Sequence, residues 1–402
     1  MHKIERLLQT LAPKGVGFRK LGEVLEYDQP NKYCVTSKEF DKSYPTPVLT
    51  AGKTFILGYT NEKDNIYQAS KSSPVIIFDD FTTATQWVDF PFKVKSSAMK
   101  ILLPKNPTIN IRFIFFYMQT IPYNISGEHA RHWISRYSQL EVPIPPLEIQ
   151  QEIVTILDAF TELNTELNTE LNARKKQYEY YQNMLLDFND INQSRKDAKE
   201  RLAQKPYPKR LKTLLQTLAP KGVEFRKLGE VCDFQKGKSI TKKAVTFGKV
   251  PVISGGRQPA YYHNEANRSG ETIAISSSGV YAGYVSYWDI PVFLADSFSV
   301  SPKQKTLMPK YLFHYLTTQQ DAIHATKSTG GIPHVYSKDL QNFLIPIPPL
   351  EIQQEIVTIL DQFSILTTDL LAGIPAEIKA RKKQYEYYRE KLLTFKPLQN
   401  KA

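Results

Sequence analysis

Pro143–Asp158 reads PIPPLEIQQEIVTILD, and the same sixteen residues return unchanged at Pro346–Asp361. The prolines hold the chain extended, because each disfavours the helical region for the residue before it. Past them, apolar residues spaced by three and four predict a long amphipathic helix. In the first copy the stripe runs Ile149, Ile153, Ile156, Phe160, Leu163, Leu167, Leu171, Tyr178, Tyr181 and Leu185. In the second it runs Ile352, Ile356, Ile359, Phe363, Leu366, Leu370, Tyr385, Tyr388 and Leu392. Two like stripes in one chain predict two long helices packed on each other as an antiparallel coiled coil about a pseudo-two-fold axis. The expected seam is Ile153, Phe160, Leu163, Leu167 and Tyr178 with Ile356, Phe363, Leu370 and Tyr385. The alternative is that each helix packs on its own insert.

Other segments are repeated around this one. Leu7–Val24 (LLQTLAPKGVGFRKLGEV) recurs at Leu214–Val231 with one change, Gly17 to Glu224, and ARKKQYEYY at Ala173–Tyr181 recurs at Ala380–Tyr388. The stretches between, 25–142 and 232–345, share little beyond length. Identical frames around unlike inserts predict one scaffold used twice, carrying two different readers. Short apolar and β-branched runs such as SPVIIFDDF (73–81) and ETIAISSSGVYAGYVSYW (271–288), broken by Gly, Asn and Asp, predict β-rich inserts. One helix is expected in each, near Arg112–Thr120 and Lys310–Thr318. The reading is an α+β chain. It comprises a lead-in helix and turn (1–24), a first reader (25–142), a central long helix (143–188), a polar linker (189–213), a second lead-in (214–231), a second reader (232–345) and a C-terminal long helix (346–396).

At 402 residues, 41% hydrophobic and 12% aromatic, the chain can bury two proper cores. A net charge of +12 favours a polyanionic partner such as nucleic acid, although charge alone does not separate that from an incidental basic balance. Two cysteines, Cys34 and Cys232, without CxxC spacing argue against a disulfide framework or thiolate zinc site and for a reducing, cytoplasmic location. No apolar run long enough for a membrane span or signal core is present.

Thr161–Asn172 is TELNTELNTELN. Each four-residue unit adds ~6 Å of helix and turns its leucine by ~40°. Such a tandem tetrad adjusts length while keeping an apolar face. The corresponding stretch after Phe363 is four residues longer, and its Gly373 and Pro375 predict a kink.

No catalytic motif is complete in the chain. Gly237-Lys-Ser239 lacks the upstream glycine of a phosphate loop, since Cys232 stands there. Pro145-Pro146 lies between Ile144 and Leu147 rather than the polar and aromatic residues of an amino-methyltransferase. Glu377 and Lys379 lie two apart on a helix and point to different faces. His129 and His132 have no evident third metal ligand, and Ser276–Ser278 lacks a GxSxG frame. No catalytic or metal residue is expected.

The two unlike inserts, the IPIPPLEIQQEIV and RKKQYEYY repeats and the tetrads resemble the specificity subunit of type I restriction-modification enzymes, the IC subfamily in particular. The resemblance covers essentially the whole chain except 187–213. YDQPNKY, PVLTAGKTFILGYTNE and PVIIFDDFTTATQWVDF in the first insert, and TGGIPHVYSKDL in the second, are similar to known recognition-domain types. It implies two target-recognition domains reading a split site on double-stranded DNA, with the repeated helices docking two methyltransferase subunits and restriction/translocase subunits joining. S-adenosylmethionine would sit on the methyltransferases, ATP and Mg on the restriction subunits, and no cofactor on this chain. Rival readings are a protein-assembly scaffold with incidental charge, or a self-contained methyltransferase or nuclease.

Base readout and phosphate contact call for basic, amide, hydroxyl and aromatic groups on loops. The candidates in the first insert are Lys53, Tyr59, Asn61, Arg131, His132 and Arg136. In the second they are Arg257, Gln258, Tyr261, Ser276, Ser277, Tyr281, Lys327 and His334. Asp79 and Asp80, as anions, are expected to cap a turn or position a loop rather than face phosphates. Trp87, Trp133 and Trp288 are expected in cores.

Overall fold

The computed structural model describes residues 2–50, 54–122, 131–188, 205–328, 331–368 and 373–398. It forms two compact units: Met1–Leu167 with Ile378–Ala402, and Asn168–Glu377. The first unit is thus completed by a helix end that is remote in sequence.

In the first unit the lead-in helix His2–Leu11 is followed by β1 (Gly17–Lys20), β2 (Leu25–Asp28), β3 (Thr46–Leu49), β4 (Ile56–Thr60), β5 (Val75–Asp79), β6 (Thr85–Val88), β7 (Lys93–Val94), β8 (Met99–Pro104), an insert helix Ile111–Met118 and β9 (Glu141–Ile144). Sheet orders are β2-β8-β5-β6, β4-β3-β7 and the pair β1-β9. Strand β5, VIIFD, is buried along its whole length. Side chains alternate across a strand, so Ile76 and Phe78 enter a core with the insert helix while Val75 and Ile77 enter a second core with Leu49, Phe92 and Val94.

The second unit repeats this plan with β10 (Glu224–Lys227), β11 (Cys232–Lys236), β12 (Val250–Ile253), β13 (Tyr261–His263), β14 (Thr272–Ser276), β15 (Val285–Trp288), β16 (Phe293–Leu294), β17 (Ser297–Pro302) and β18 (Leu344–Ile347). The orders are β11-β17-β14-β15, β13-β12-β16 and β10-β18. Strand for strand this is the first unit again, including the parallel β3–β7 and β12–β16 pairs. Inserts that share almost no sequence therefore share one topology.

The repeated hinge explains how the frame grips each insert. Gln150 is fully buried; its Nε2 donates to the Pro145 and Thr108 carbonyls at 2.7 and 3.1 Å, and its Oε1 accepts the Asn110 N–H at 2.8 Å. Gln353 does the same with Pro348, Thr306 and Met308 at 2.7, 2.8 and 2.9 Å. Asp158 pairs with Arg112 on the first insert helix, and Asp361 pairs with Lys310 and His314 on the second, helix Pro309–Thr318. Lys3–Glu152 and Arg210–Glu355 tie the lead-in helices to the long ones.

The first long helix is continuous over Leu147–Leu186. The second is described as two helices, Leu350–Thr368 and Ile374–Leu393, with a bend at Gly373 where the kink was expected; 369–372 lie outside the described residues. A Cβ on Gly373 would lie 2.3 Å from the Ile365 carbonyl, and Pro375 falls in the first turn of the new helix, where its missing N–H costs nothing. The seam is antiparallel within each unit. In the first, Phe160 stacks on Tyr388 at 5.4 Å and lies near Tyr385, while Ile153 and Leu157 share a core with Leu392 and Leu393. In the second, Phe363 stacks on Tyr181 at 5.1 Å, and Ile352 and Ile356 share a core with Leu185 and Leu186. Tyr178 reaches the insert helix instead, its hydroxyl 3.4 Å from His314 Nδ1. Leu163 and Leu167 are half-buried, as a period of four that drifts off the seam requires. Leu366, expected on the stripe, is exposed, and Leu370 lies outside the described residues.

Candidate nucleic-acid interface

In the second unit, three loops converge beyond the ends of β12 and β14. The Ser254–Ala260 turn meets the Ser277–Tyr284 loop, where the Ser276 hydroxyl donates to the Ser254 carbonyl at 3.0 Å. A Cβ on Gly255 would come within 2.6 Å of the Ser278 carbonyl, so only glycine permits that approach. The third loop pairs Ser278 with His334, and the Val335 and Gly279 N–H groups donate to Ser277 and Pro333. Asp296 ties the base of the cluster: its backbone carbonyl accepts the Ser277 N–H at 3.0 Å and its carboxylate accepts the Ser278 hydroxyl.

This architecture brings six sequence candidates to one edge. Arg257 and Gln258 are exposed, and the Arg257 guanidinium lies over the Tyr281 ring at 5.0 Å and the Tyr284 ring at 5.6 Å. A guanidinium stacked on aromatic rings keeps its planar donor fork pre-aligned. Lys327 Nζ donates to the Val280 carbonyl at 3.3 Å, and His334 Nδ1 donates to the Ile332 carbonyl at 2.6 Å while its ring stacks on Tyr336. Ser277 lies in the same cluster. Tyr261 opens β13 beside the turn but is half-buried in a small core. Ser276 is a correction: it is buried, and its hydroxyl is spent on Ser254, because an interior strand end must satisfy its own polar atoms. Asp296, Tyr284, Val280, Ile332 and Tyr336 were missed. Val280 is 81% exposed between glycine and tyrosine, an exposure that residue type alone does not report.

The corresponding edge of the first unit is built from other residues. The Asp80 carbonyl accepts the His132 N–H and its carboxylate accepts the Trp133 N–H, both at 2.9 Å. Asp79 caps the β5–β6 turn, accepting the Phe81 N–H at 2.9 Å and the Thr82 hydroxyl at 2.5 Å. His132, offered as a DNA contact, is 2% exposed, because the Trp133 anchor draws it into the fold. Arg131 and Arg136 are exposed beside it. Burial lowers the Lys100 pKa, Asp80 opposes this and Arg131 adds to it. Tyr59 and Asn61 lie at the other end of β4 from the β3–β4 loop, and Lys53 and His129 lie outside the described residues. Trp133 is core, with Trp87 and Trp288 half-buried against cores.

Asn61 is followed by an anchor that sequence reasoning overlooked. The Glu62 carboxylate accepts the Thr36 and Ser37 N–H groups at 2.9 and 2.8 Å and pairs with buried Lys93 at 2.8 Å. Burial alone would raise this carboxyl, but Lys93 and the N–H donors hold it at about 2 against an ordinary 4.5. Its stabilisation is therefore complete above the ordinary value and is lost as pH falls from there through about 2. Glu62→Gln is expected to cost about 3 kcal/mol at neutral pH by leaving Lys93 without a counter-charge. Denaturant unfolding of both proteins between neutral pH and pH ~3 checks this; a deficit that does not shrink on acidification counts against the pair.

Among the described residues no three of His, Cys, Asp and Glu gather as metal ligands. Burial raises the Cys34 thiol and pushes Cys232 up to about 12, so neither is a thiolate at neutral pH. No helix among the described residues is long and apolar enough to cross a membrane.

The family described as "Type I restriction modification DNA specificity domain" matches residues 13–176 and 220–380. A type I restriction enzyme specificity subunit of Escherichia coli is 39% identical over 428 aligned positions, covering 98% of this chain and 97% of the relative. The MpnII specificity subunit of Mycoplasma pneumoniae is 28% identical over 67% of this chain and 92% of its own length. Among solved structures, the S subunit of a type I restriction-modification system from M. genitalium shares the fold with a TM-score of 0.63 at 17% identity, covering 94% of this chain and 96% of that one.

Proposed function

Because this chain belongs to the type I restriction-modification DNA specificity family, we propose that it is the subunit that selects the DNA sequence on which such an enzyme acts. It reads a bipartite duplex target, one half-site with each insert, 25–142 and 232–345. The observation that carries this reading is that two inserts of one topology present unlike loop residues at the same edge: Arg131, Arg136 and Asp80 in one, Arg257, Tyr281 and His334 in the other. A shared scaffold with different tips suits two different base sequences, since base edges are read by side chains and not by the fold.

The repeated surface residues support a partner bound twice. Leu11 and its copy Leu218 are 41% and 40% exposed, and Tyr180 and its copy Tyr387 are 56% and 57% exposed. Folding does not require these groups at the surface, so their repetition suits two identical methyltransferase subunits, with restriction/translocase subunits completing the enzyme. The chain performs no chemistry and holds no cofactor. S-adenosylmethionine belongs to the methyltransferase and ATP with Mg to the translocase, and the assembly works in the cytoplasm.

The test is duplex binding by the chain assembled with its methyltransferase, followed by mapping of the methylated sequence. Phosphate contacts release counterions, so affinity for the mapped target must fall steeply with salt. A salt-independent interaction would mark a protein scaffold instead. Arg257→Ala is expected to weaken cognate binding by about 5- to 150-fold and to relax the second half-site, leaving non-specific affinity nearly unchanged. Equal weakening on all sequences would make Arg257 a phosphate contact.

A further inference from the structure

Phe247 is 94% exposed, more than any other large apolar side chain among the described residues. Its backbone is nevertheless held. On one side, the Thr246 N and O both lie 3.1 Å from Nδ1 of the buried His263. On the other, a Cβ on Gly248 would fall 2.2 Å from the His263 carbonyl, so the chain is pressed against the end of β13. The ring is therefore pushed outward from a fixed base, and little backbone freedom is lost when it docks.

The charge carried by its own segment is of one sign. Lys236–Lys249 reads KGKSITKKAVTFGK, with five lysines and no acidic residue, and all five lysines are exposed. Lys242, Lys243 and Lys249 make no ion pair among the described residues. A projecting aromatic ring amid lysines matches a partner offering anions and flat π-faces together, which is nucleic acid. Phe247 lies at the opposite end of β12 from the edge that carries Arg257, so a duplex running along β12 meets both. Strand β12, four residues long, separates Lys249 from the Ser254–Ala260 turn that carries Arg257. That is ~13 Å at 3.3 Å per residue, the length of about four base pairs.

We propose that Phe247 is a wedge inserted at a base step a few base pairs from the half-site read by Arg257, with Lys242, Lys243 and Lys249 on the adjoining phosphates. The inference rests on the DNA-reading function above and adds to it a contact that contributes affinity and bending but no sequence choice. Inserted apolar side chains partly unstack one step and bend the duplex away from it.

The experiment uses the full chain assembled with its methyltransferase and duplexes of the mapped target. These carry, one position at a time, an adenine analogue whose fluorescence rises on unstacking. Apart from the base that the methyltransferase itself flips out of the stack, the wild type should brighten one position near the second half-site. Phe247→Ala should abolish that signal and weaken binding by about 5- to 100-fold, with the salt dependence and the methylated sequence unchanged. Replacing the three lysines together by alanine should reduce the slope of log affinity against log salt by about 2 to 3. Wild-type affinity and wild-type brightening in Phe247→Ala would overturn the wedge. So would a Phe247→Ala chain that binds DNA normally but no longer assembles, which would assign the ring to a protein partner. Absence of salt-dependent duplex binding by the wild type would remove the DNA-reading function and the wedge with it.

Discussion

A fragment ending at Phe188 is expected to be an obligate dimer that directs methylation to an inverted repeat of the first half-site. The first unit is not complete in such a fragment. It loses Leu392 and Leu393, which are buried in its core, Phe395, which lies against Phe113, and Tyr388, which stacks on Phe160. Losing the two buried leucines alone removes about 3 to 6 kcal/mol, a large part of the whole stability of a domain. The fragment carries the replacements itself. Ala173–Tyr181 is identical to Ala380–Tyr388, and Leu185, Leu186 and Phe188 follow at the same spacing as Leu392, Leu393 and Phe395. A second copy can therefore supply what the second half of the chain supplies, and exchange between two like copies closes as a two-fold dimer. Two identical readers about a two-fold axis read a palindrome. Sedimentation and methylome mapping check both statements. A folded, stable monomer would show that the helix ends are dispensable. In the same fragment, Leu185→Ala with Leu186→Ala should prevent dimerisation.

Removing one TELN unit is expected to shorten the unread gap between the half-sites by one base pair. The three tetrads lie within one uninterrupted helix, Leu147–Leu186, so a deletion of four residues rejoins helix to helix. Because the units are identical, the choice of which to delete does not alter the product. The change is ~6 Å of rise and ~40° of rotation, against 3.4 Å per base pair and about 35° per base pair at 10–10.5 base pairs per turn. Rotation matches one base pair while translation is nearer two, and a helix inclined to the DNA axis projects less than its full rise along it. Rotation decides, because a reader turned out of its groove loses every base contact, whereas a few ångströms of slide can be absorbed by tilt. Binding to the original target should fall by at least about 100-fold, since a misplaced half-site leaves largely non-specific affinity. Methylome sequencing of strains with two and three units decides it, and an unchanged gap would end the spacer role.

The parts that could be read in advance follow a pattern. The long helices were legible because a period of 3.6 is written locally in the isoleucines after the PIPP hinges, and their pairing because the stripe occurs twice. The disturbance at Gly373 was legible from Gly373 and Pro375 themselves. Its severity depends on the approach of Gly373 to the Ile365 carbonyl, which no local pattern reports. Among the DNA-contact candidates, Arg257, Tyr281 and His334 fall on one loop edge, because basic and aromatic residues among glycines mark loops. His132 and Ser276 failed because residue type does not reveal burial. His132 is drawn inward by a neighbour's hydrogen bond to Asp80, and Ser276 is satisfied by a carbonyl 22 residues away.

The amino-acid sequence by itself determined that one frame is used twice, that each copy ends in a long amphipathic helix, and that the framed segments differ. These properties are periodic or repetitive, so near neighbours suffice to express them. Only the tertiary structure decided that the unlike inserts share one strand order, that the first core is closed by a helix end some two hundred residues distant, and that three loops meet at Asp296. Those outcomes depend on which buried surfaces fit together and which interior polar atoms find partners, and both are properties of packing in space rather than of order along the chain.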